Sequence, residues 1–210
     1  MSLSQFDGIV YINLDRRTDR KEALTKELKR LKVDFSKVHR LQAVDLPLNG
    51  VRGCLLSHIK ALDFVKSQGW KRGLILEDDV TCYCSKAKIE RETKRFFEKF
   101  DGVWDVYLLG GAYFEVYHTY VEQVYRLRIA HRAHAYVVHP EYIPALRDCF
   151  QEAVDQTRDH LFLQQSAGFA TDAVWEKLQQ KDRWFGCKDR LLNQSDGVSD
   201  IEGIFKTYRH

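Results

Sequence analysis

The chain has 210 residues, 44% of them hydrophobic and 12% aromatic, enough apolar material for the core of one large domain, and this excludes an intrinsically disordered protein. Its 33 basic and 30 acidic residues leave a formal net charge of +3, a mixed surface without the concentrated basic field of a dedicated nucleic-acid binder. No window reaches the roughly 18 apolar residues of a membrane helix, Met1 to Gln5 carry no secretory leader, and the odd set of five cysteines reads as reduced thiols, so a cytoplasmic protein with no membrane span is expected.

Gly8 to Leu14 is a short, β-branched and aromatic-rich run that predicts a buried strand ending at Asp15. The charged stretch after it carries Leu24, Leu28 and Leu31 at helical spacing. Val38 to Val44 predicts a second strand, and Leu55, Ile59 and Leu62 share one face of a helix over 54–66. Gly73 to Leu76 is a third strand running straight into Glu77-Asp78-Asp79. Ile89, Phe96, Phe97 and Phe100 indicate another helix, whose basic stretch from Lys86 to Arg95 reads as a solvated face. Val106 to Leu109 is a strand stopped by Gly110-Gly111. This alternation implies an α/β fold with a mainly parallel central sheet flanked by helices. Tyr113 to His139 then continues in strand-like runs. A helix follows from about Pro140 to Ala153, and another starts near Thr171-Asp172 and carries Val174, Trp175 and Leu178. The expected organisation is a single domain over 1–210. Its first half, about 1–111, binds the nucleotide, and a β-rich half, about 112–210, finishes the cleft.

Glu77-Asp78-Asp79 is the sharpest chemical feature. Three consecutive carboxylates repel one another unless solvent or a cation relieves them, and strand ends of open α/β sheets are where ligands bind. Such a group suits Mg²⁺ or Mn²⁺ bridging a diphosphate; an exposed acidic turn is the alternative. Asn13-Leu14-Asp15-Arg16-Arg17 leaves the first strand and enters a helix whose N-terminus can face phosphate, although no Gly-rich phosphate loop is present. Gly53-Cys54-Leu55-Leu56-Ser57-His58 opens the second helix. Cys54 reads there as a packing thiol, while Ser57 and His58 lie on a turn that can face the cleft. Cys82 and Cys84 are too close for usual zinc spacing. His131 and His134, if in a strand, point to opposite faces. Asp172 is either a helix N-terminal charge or a catalytic base. Asn193 to Gly197 reads as a polar turn.

Taken in order, Val10 to Arg20, Gly53 to His58 and Leu74 to Val80 resemble the glycosyltransferases of family 25, the lipopolysaccharide and procollagen galactosyltransferase type. Fainter matches are Trp104 to Gly110, Ala135 to Val138, Asp172, Gln194 to Asp196 and Ser199 to Ile201. The string as a whole is also similar to a chlorella-virus glycosyltransferase domain, which implies a host cytoplasm. The chain departs from the family pattern at Val51, where an acidic residue is usual, and in a shorter second half rich in His and Tyr.

The resemblance implies a GT-A-type fold, a UDP-sugar donor, Mn²⁺ or Mg²⁺, and transfer of a hexose or deoxyhexose to a glycan or glycoprotein. It makes Glu77, Asp78 and Asp79 the metal motif, with Asp79 the foremost ligand. Ile12, Asn13, Leu14 and Arg16 would cradle the nucleotide, with Ser57 and His58 close by, and Asp172 would be the base of an inverting enzyme. Two other readings compete. One is a nucleotidyltransferase. The other is a non-catalytic glycan- or nucleic-acid-binding module that stacks Tyr113, Phe114, Tyr117, Tyr120 and Tyr125 on sugars or bases.

Overall fold

The computed structural model describes residues 3–161 and 163–208. In chain order, β1 (Gly8–Asn13) leads through α1 (Thr18–Arg30) to β2 (Val38–Gln42), α2 (Gly50–Ser67) and β3 (Gly73–Glu77). The two-residue β4 (Val80–Thr81), α3 (Lys86–Lys99) and β5 (Val106–Leu108) follow. Next come the hairpin β6 (Ala112–His118) and β7 (Val124–His131), then β8 (Ala135–Val138) and α4 (Ile143–Gln156). Three one-turn helices, α5 (Leu163–Ser166), α6 (Thr171–Val174) and α7 (Glu176–Gln179), precede β9 (Trp184–Cys187) and β10 (Asn193–Gln194). The last hairpin is β11 (Gly197–Val198) with β12 (Phe205–Lys206).

Eight strands form one sheet in the order β2-β1-β3-β8-β5-β9-β7-β6. β2, β1, β3, β5, β9 and β6 run one way, and β8 and β7 run against them. Strands β1, β5 and β8 are buried along their whole length. That burial on both faces is why they read as unbroken apolar runs rather than alternating ones. Side chains nonetheless alternate between two cores. Ile9 and Tyr11 meet Leu24, Leu28, Phe96 and Phe97 of α1 and α3 on one face. Val10 and Ile12 meet Leu55, Leu62, Leu146 and Phe150 of α2 and α4 on the other. Each such burial contributes about 1.5–3 kcal/mol, so the sheet and its two helical layers set the frame on which the strand ends are held. Among the described residues no helix is long and apolar enough to cross a membrane.

The structure corrects three expectations and adds one strand that the sequence did not announce. α2 begins at Gly50 rather than near 54, because the Asn49 side chain accepts the Arg52 amide and caps it. Glycines at 50 and 53 disguise that start. The helix expected from Thr171 breaks at Trp175, whose buried indole donates to the Ala130 carbonyl. β9 gave no periodic signal, being four buried residues including Gly186, yet it sits between β5 and β7. The supposed polar turn begins as β10, which pairs Asn193 with Thr81 and Gln194 with Val80, directly beside the acidic triplet.

Candidate functional site

β1 and β3 are parallel neighbours with Ile12 beside Glu77, so both chains leave the sheet at the same edge. Asn13, almost wholly buried, organises the exit. Its Nδ2 donates to Asp78 Oδ2 at 2.8 Å and to the Arg17 carbonyl at 3.0 Å, while Oδ1 accepts from Arg40 Nε at 2.9 Å. Arg20, in the first turn of α1, reaches Asp78 Oδ1 at 3.0 Å and Asp79 Oδ2 at 3.4 Å. The other Asp79 oxygen, Oδ1, is buried and has no hydrogen-bond partner.

One guanidinium shared between two carboxylates does not neutralise them. Burial, followed by the charge of Glu77, pushes Asp79 up to about 7 against the relief from Arg20. Burial also raises Asp78, despite Asn13 and Arg20. Glu77 turns the other way. Its Oε1 lies 3.2 Å from His58 Nε2 and its Oε2 3.4 Å from Gln194 Nε2. Burial opposes the ionisation of Glu77, but the hydrogen bond and charge of His58 outweigh it and hold the carboxyl below its usual range. His58 Nδ1 is in turn 2.8 Å from the Tyr136 hydroxyl.

The Gly-Cys-Leu-Leu-Ser-His segment positions the opposite wall. A Cβ on Gly53 would stand 2.6 Å from the Val44 carbonyl oxygen, so glycine is what lets α2 lie this close to the loop after β2. The Val44 amide donates to Ser57 Oγ at 2.8 Å, and Ser57 Oγ donates to the Gly53 carbonyl at 2.7 Å. Ser57 therefore pins the loop.

These parts enclose a cavity of about 200 Å³. Ile12, Asn13, Leu14, Arg16, Ser57, His58, Glu77, Asp78 and Asp79 all line it, and so do Arg20, Gln194, Asp200 and Tyr208. Asp200 ion-pairs with Arg16 and Arg17; burial works against its charge, but the two arginines hold its carboxyl low. Arg16 also bonds Asp45 at 3.1 Å.

Asp172 is not in this cavity. It lines a second one of about 460 Å³, with Arg132, Thr171 and Lys206. The two cavities share Cys54, Glu77, Gln194, Ser199, Ile201 and Tyr208 as a common wall. Asp172 Oδ2 accepts the Arg132 amide at 2.8 Å. Arg132 has φ of 73°, a left-handed conformation that is unfavourable for a residue with a Cβ, and the bond helps to hold it.

Sequence reasoning gave no site role to Gln194, Asp200 or Tyr208, although Gln194 and Asp200 fall in the fainter family matches, and it met Arg20 only as the end of the Val10 to Arg20 match. The available signals were those faint matches and the arginines Arg16, Arg17 and Arg20 near one another in the first motif. Cys54, expected to be packed away, is half-buried, borders both cavities and lies 3.3 Å from Thr171 Oγ1. The earlier start of α2 moves it into the second turn. His131 and His134 find separate partners, Glu176 and the Leu192 carbonyl. Of the tyrosine-rich set, Phe114, Tyr117 and Tyr120 are exposed and Tyr113 packs on Gly186, at the sheet edge opposite β2.

No family model matches the sequence, and no curated protein matches it. Among solved structures, the chain is similar to mannose-1-phosphate geranyltransferase from Thermus thermophilus. That match has 10% identity over 86% of this chain and 72% of the other, with a TM-score of 0.50. A glycosyltransferase involved in the glycosylation of the major capsid of PBCV-1 aligns at 9% identity over 86% and 92% of the two chains, TM-score 0.47. The glycosyltransferase GlyE of Streptococcus pneumoniae aligns at 11% identity over 87% and 45%, TM-score 0.48. At 10% identity the likeness to the first of these is one of fold, and it matches the α/β architecture described above.

Proposed function

We propose that the chain is a cation-dependent glycosyltransferase that takes a UDP-sugar as donor and transfers its hexose or deoxyhexose to a hydroxyl of a glycan or glycoprotein. The observation that carries this reading is Asp79. A carboxylate oxygen buried without a partner, beside a second carboxylate at the carboxyl end of a sheet strand, is a ligand set for a hard divalent ion. Asp79 and Asp78 would hold Mn²⁺ or Mg²⁺, while Glu77 is engaged by His58 and contributes its charge from the side. When bound, the ion neutralises the charge that develops on the diphosphate leaving group.

The chain's own residues supply the rest. Arg16 and Arg17 at the start of α1 meet the phosphates with their guanidinium groups. Asn13 fixes the orientation of Asp78, and Ile12 and Leu14 give the nucleotide an apolar rest. The second cavity takes the acceptor. There Asp172 accepts the hydroxyl proton as the hydroxyl oxygen attacks the anomeric carbon, giving inversion. Glu77, in the wall between the cavities, is close to both substrates.

A screen of nucleotide sugars for slow hydrolysis tests the reading. Release of a nucleoside diphosphate that needs Mn²⁺ and stops with chelator is expected. Release of pyrophosphate from a nucleoside triphosphate and a sugar phosphate would make the protein a nucleotidyltransferase and overturn it.

A further inference from the structure

Cys54, His58 and Glu77 offer a sulfur, a nitrogen and an oxygen whose ligand atoms all lie within 4.8 Å of one another. Cys54 and His58 are four residues apart on α2, so their side chains leave the same face of the helix. Glu77 arrives from the end of β3. From this geometry we infer that the protein has a second cation site, chemically distinct from Asp78 and Asp79, that binds a thiophilic divalent ion of the zinc class.

The donor set decides the class. Oxygen-only carboxylates suit Mg²⁺ and Mn²⁺, whereas a thiolate and an imidazole select borderline-soft Zn²⁺. With Zn–N and Zn–O bonds of about 2.0–2.1 Å and Zn–S of about 2.3 Å, tetrahedral edges run about 3.3–3.6 Å. His58 Nε2 and Glu77 Oε1, 3.2 Å apart, fall just short of that spacing. Drawing in the widest pair takes a shift of about 1 Å.

Each ligand also has an outer partner that orients it, as built metal sites do. His58 Nδ1 is 2.8 Å from the Tyr136 hydroxyl, Cys54 Sγ is 3.3 Å from Thr171 Oγ1, and Glu77 Oε2 is 3.4 Å from Gln194 Nε2. His58 is almost fully buried and so rotationally fixed. Binding sends the second ring proton, held between Nε2 and Glu77, and the Sγ proton to solvent, leaving a neutral ring protonated at Nδ1. Nδ1 keeps its hydrogen bond to Tyr136. Three protein ligands leave a fourth corner, and it faces the junction of the two cavities, since Cys54 and Glu77 line both.

This site does not depend on the nucleotide-sugar reading, and its test needs no enzymatic activity. The full chain is titrated with Cd²⁺ alone while the near-ultraviolet sulfur-to-cadmium absorption is followed. One equivalent should bind with a thiolate band. Cys54→Ser should abolish the band, whereas Asp79→Ala and the double variant Cys82→Ser/Cys84→Ser should keep it. Tyr136→Phe, which removes only an outer partner, should weaken binding about 10–100-fold. Should the Cys54 variant fail to fold, the unaltered protein still answers. Zn²⁺ but not Mn²⁺ should slow alkylation of Cys54, mapped by mass spectrometry. A band that survives Cys54→Ser, a band lost only in the Cys82/Cys84 variant, or alkylation of Cys54 indifferent to Zn²⁺ would overturn the site.

Discussion

The two walls of the first cavity rest on different physics. Asn13, Asp78 and Asp79 continue from β1 and β3, whose other side chains are locked in the two cores, and hydrogen bonds between the strand ends fix them further. Ser199, Asp200, Ile201 and Tyr208 belong to a tail whose regular structure is the two-residue pair β11–β12, with Ile204 and Phe205 exposed. Asp200 anchors that tail through Arg16 and Arg17, and Arg20 donates to the Val198 carbonyl at 2.7 Å; the more exposed pair, Arg16–Asp200, contributes only about 0–1 kcal/mol. One wall is therefore set before any ligand arrives. Under the proposed reading the other would be exchangeable, because a diphosphate would present more negative charge to the same arginines than a single carboxylate does.

Substitutions on the two walls should differ accordingly. Asp79→Ala removes the cation ligand on the fixed wall. If the cation bridge supplies about 5–6 kcal/mol to the transition state, turnover should fall more than about 10⁴-fold. The melting temperature should not fall, because the variant also removes a buried carboxylate that the ion-free protein ionises only at a cost. Normal transfer by Asp79→Ala would sink the assignment of the fixed wall.

Asp172→Asn, in the neighbouring cavity, should cut turnover about 10²–10⁴-fold with donor binding nearly unchanged. The asparagine oxygen can still accept the Arg132 amide, so stability should hold. Product formed by the unaltered enzyme should have inverted anomeric configuration by NMR. Retained configuration, or near-normal turnover of the variant, leaves Asp172 with its structural bond alone.

Asp200→Ala, on the exchangeable wall, should have the smallest effect and the opposite sign. Freeing Arg16 and Arg17 should tighten nucleoside diphosphate binding up to about fivefold, equivalent to about 1 kcal/mol. The gain should shrink as salt rises. Weaker binding would mean that Asp200 holds the ligand rather than standing in its place.

The same contrast explains what was legible in the sequence. The runs Gly8 to Asn13 and Gly73 to Glu77 carry their burial in their composition, so the strands, the exit points and the acidic triplet were readable together. The order of strands and helices also announced the sheet. β9 was invisible, because four buried residues with a glycine carry no period. The tail was invisible for a different reason. Asp200 reaches the cavity through ion pairs with Arg16 and Arg17 and Tyr208 through Arg132 and Asp196, long-range pairings that the faint Ser199 to Ile201 match does not reveal. Cys54 reads as a buried thiol at a helix start but is half-buried in the second turn, because the Asn49 cap starts the helix before Gly50 and Gly53.

Cation-coupled binding of UDP, followed by calorimetry across pH, tests the central claim most directly. In the ion-free protein Asp79 is raised from an ordinary value of 3.8 to about 7. Its neutral form therefore contributes stability that is fully present below about pH 4 and is lost as pH rises through about 7. A cation must displace that proton. UDP should bind far more tightly with Mn²⁺ or Mg²⁺ than with chelator at pH 8, and the advantage should fall about tenfold per unit below about pH 7. Equal affinity for UDP with and without the ion, or a cation advantage indifferent to pH between 5 and 8, would contradict the account.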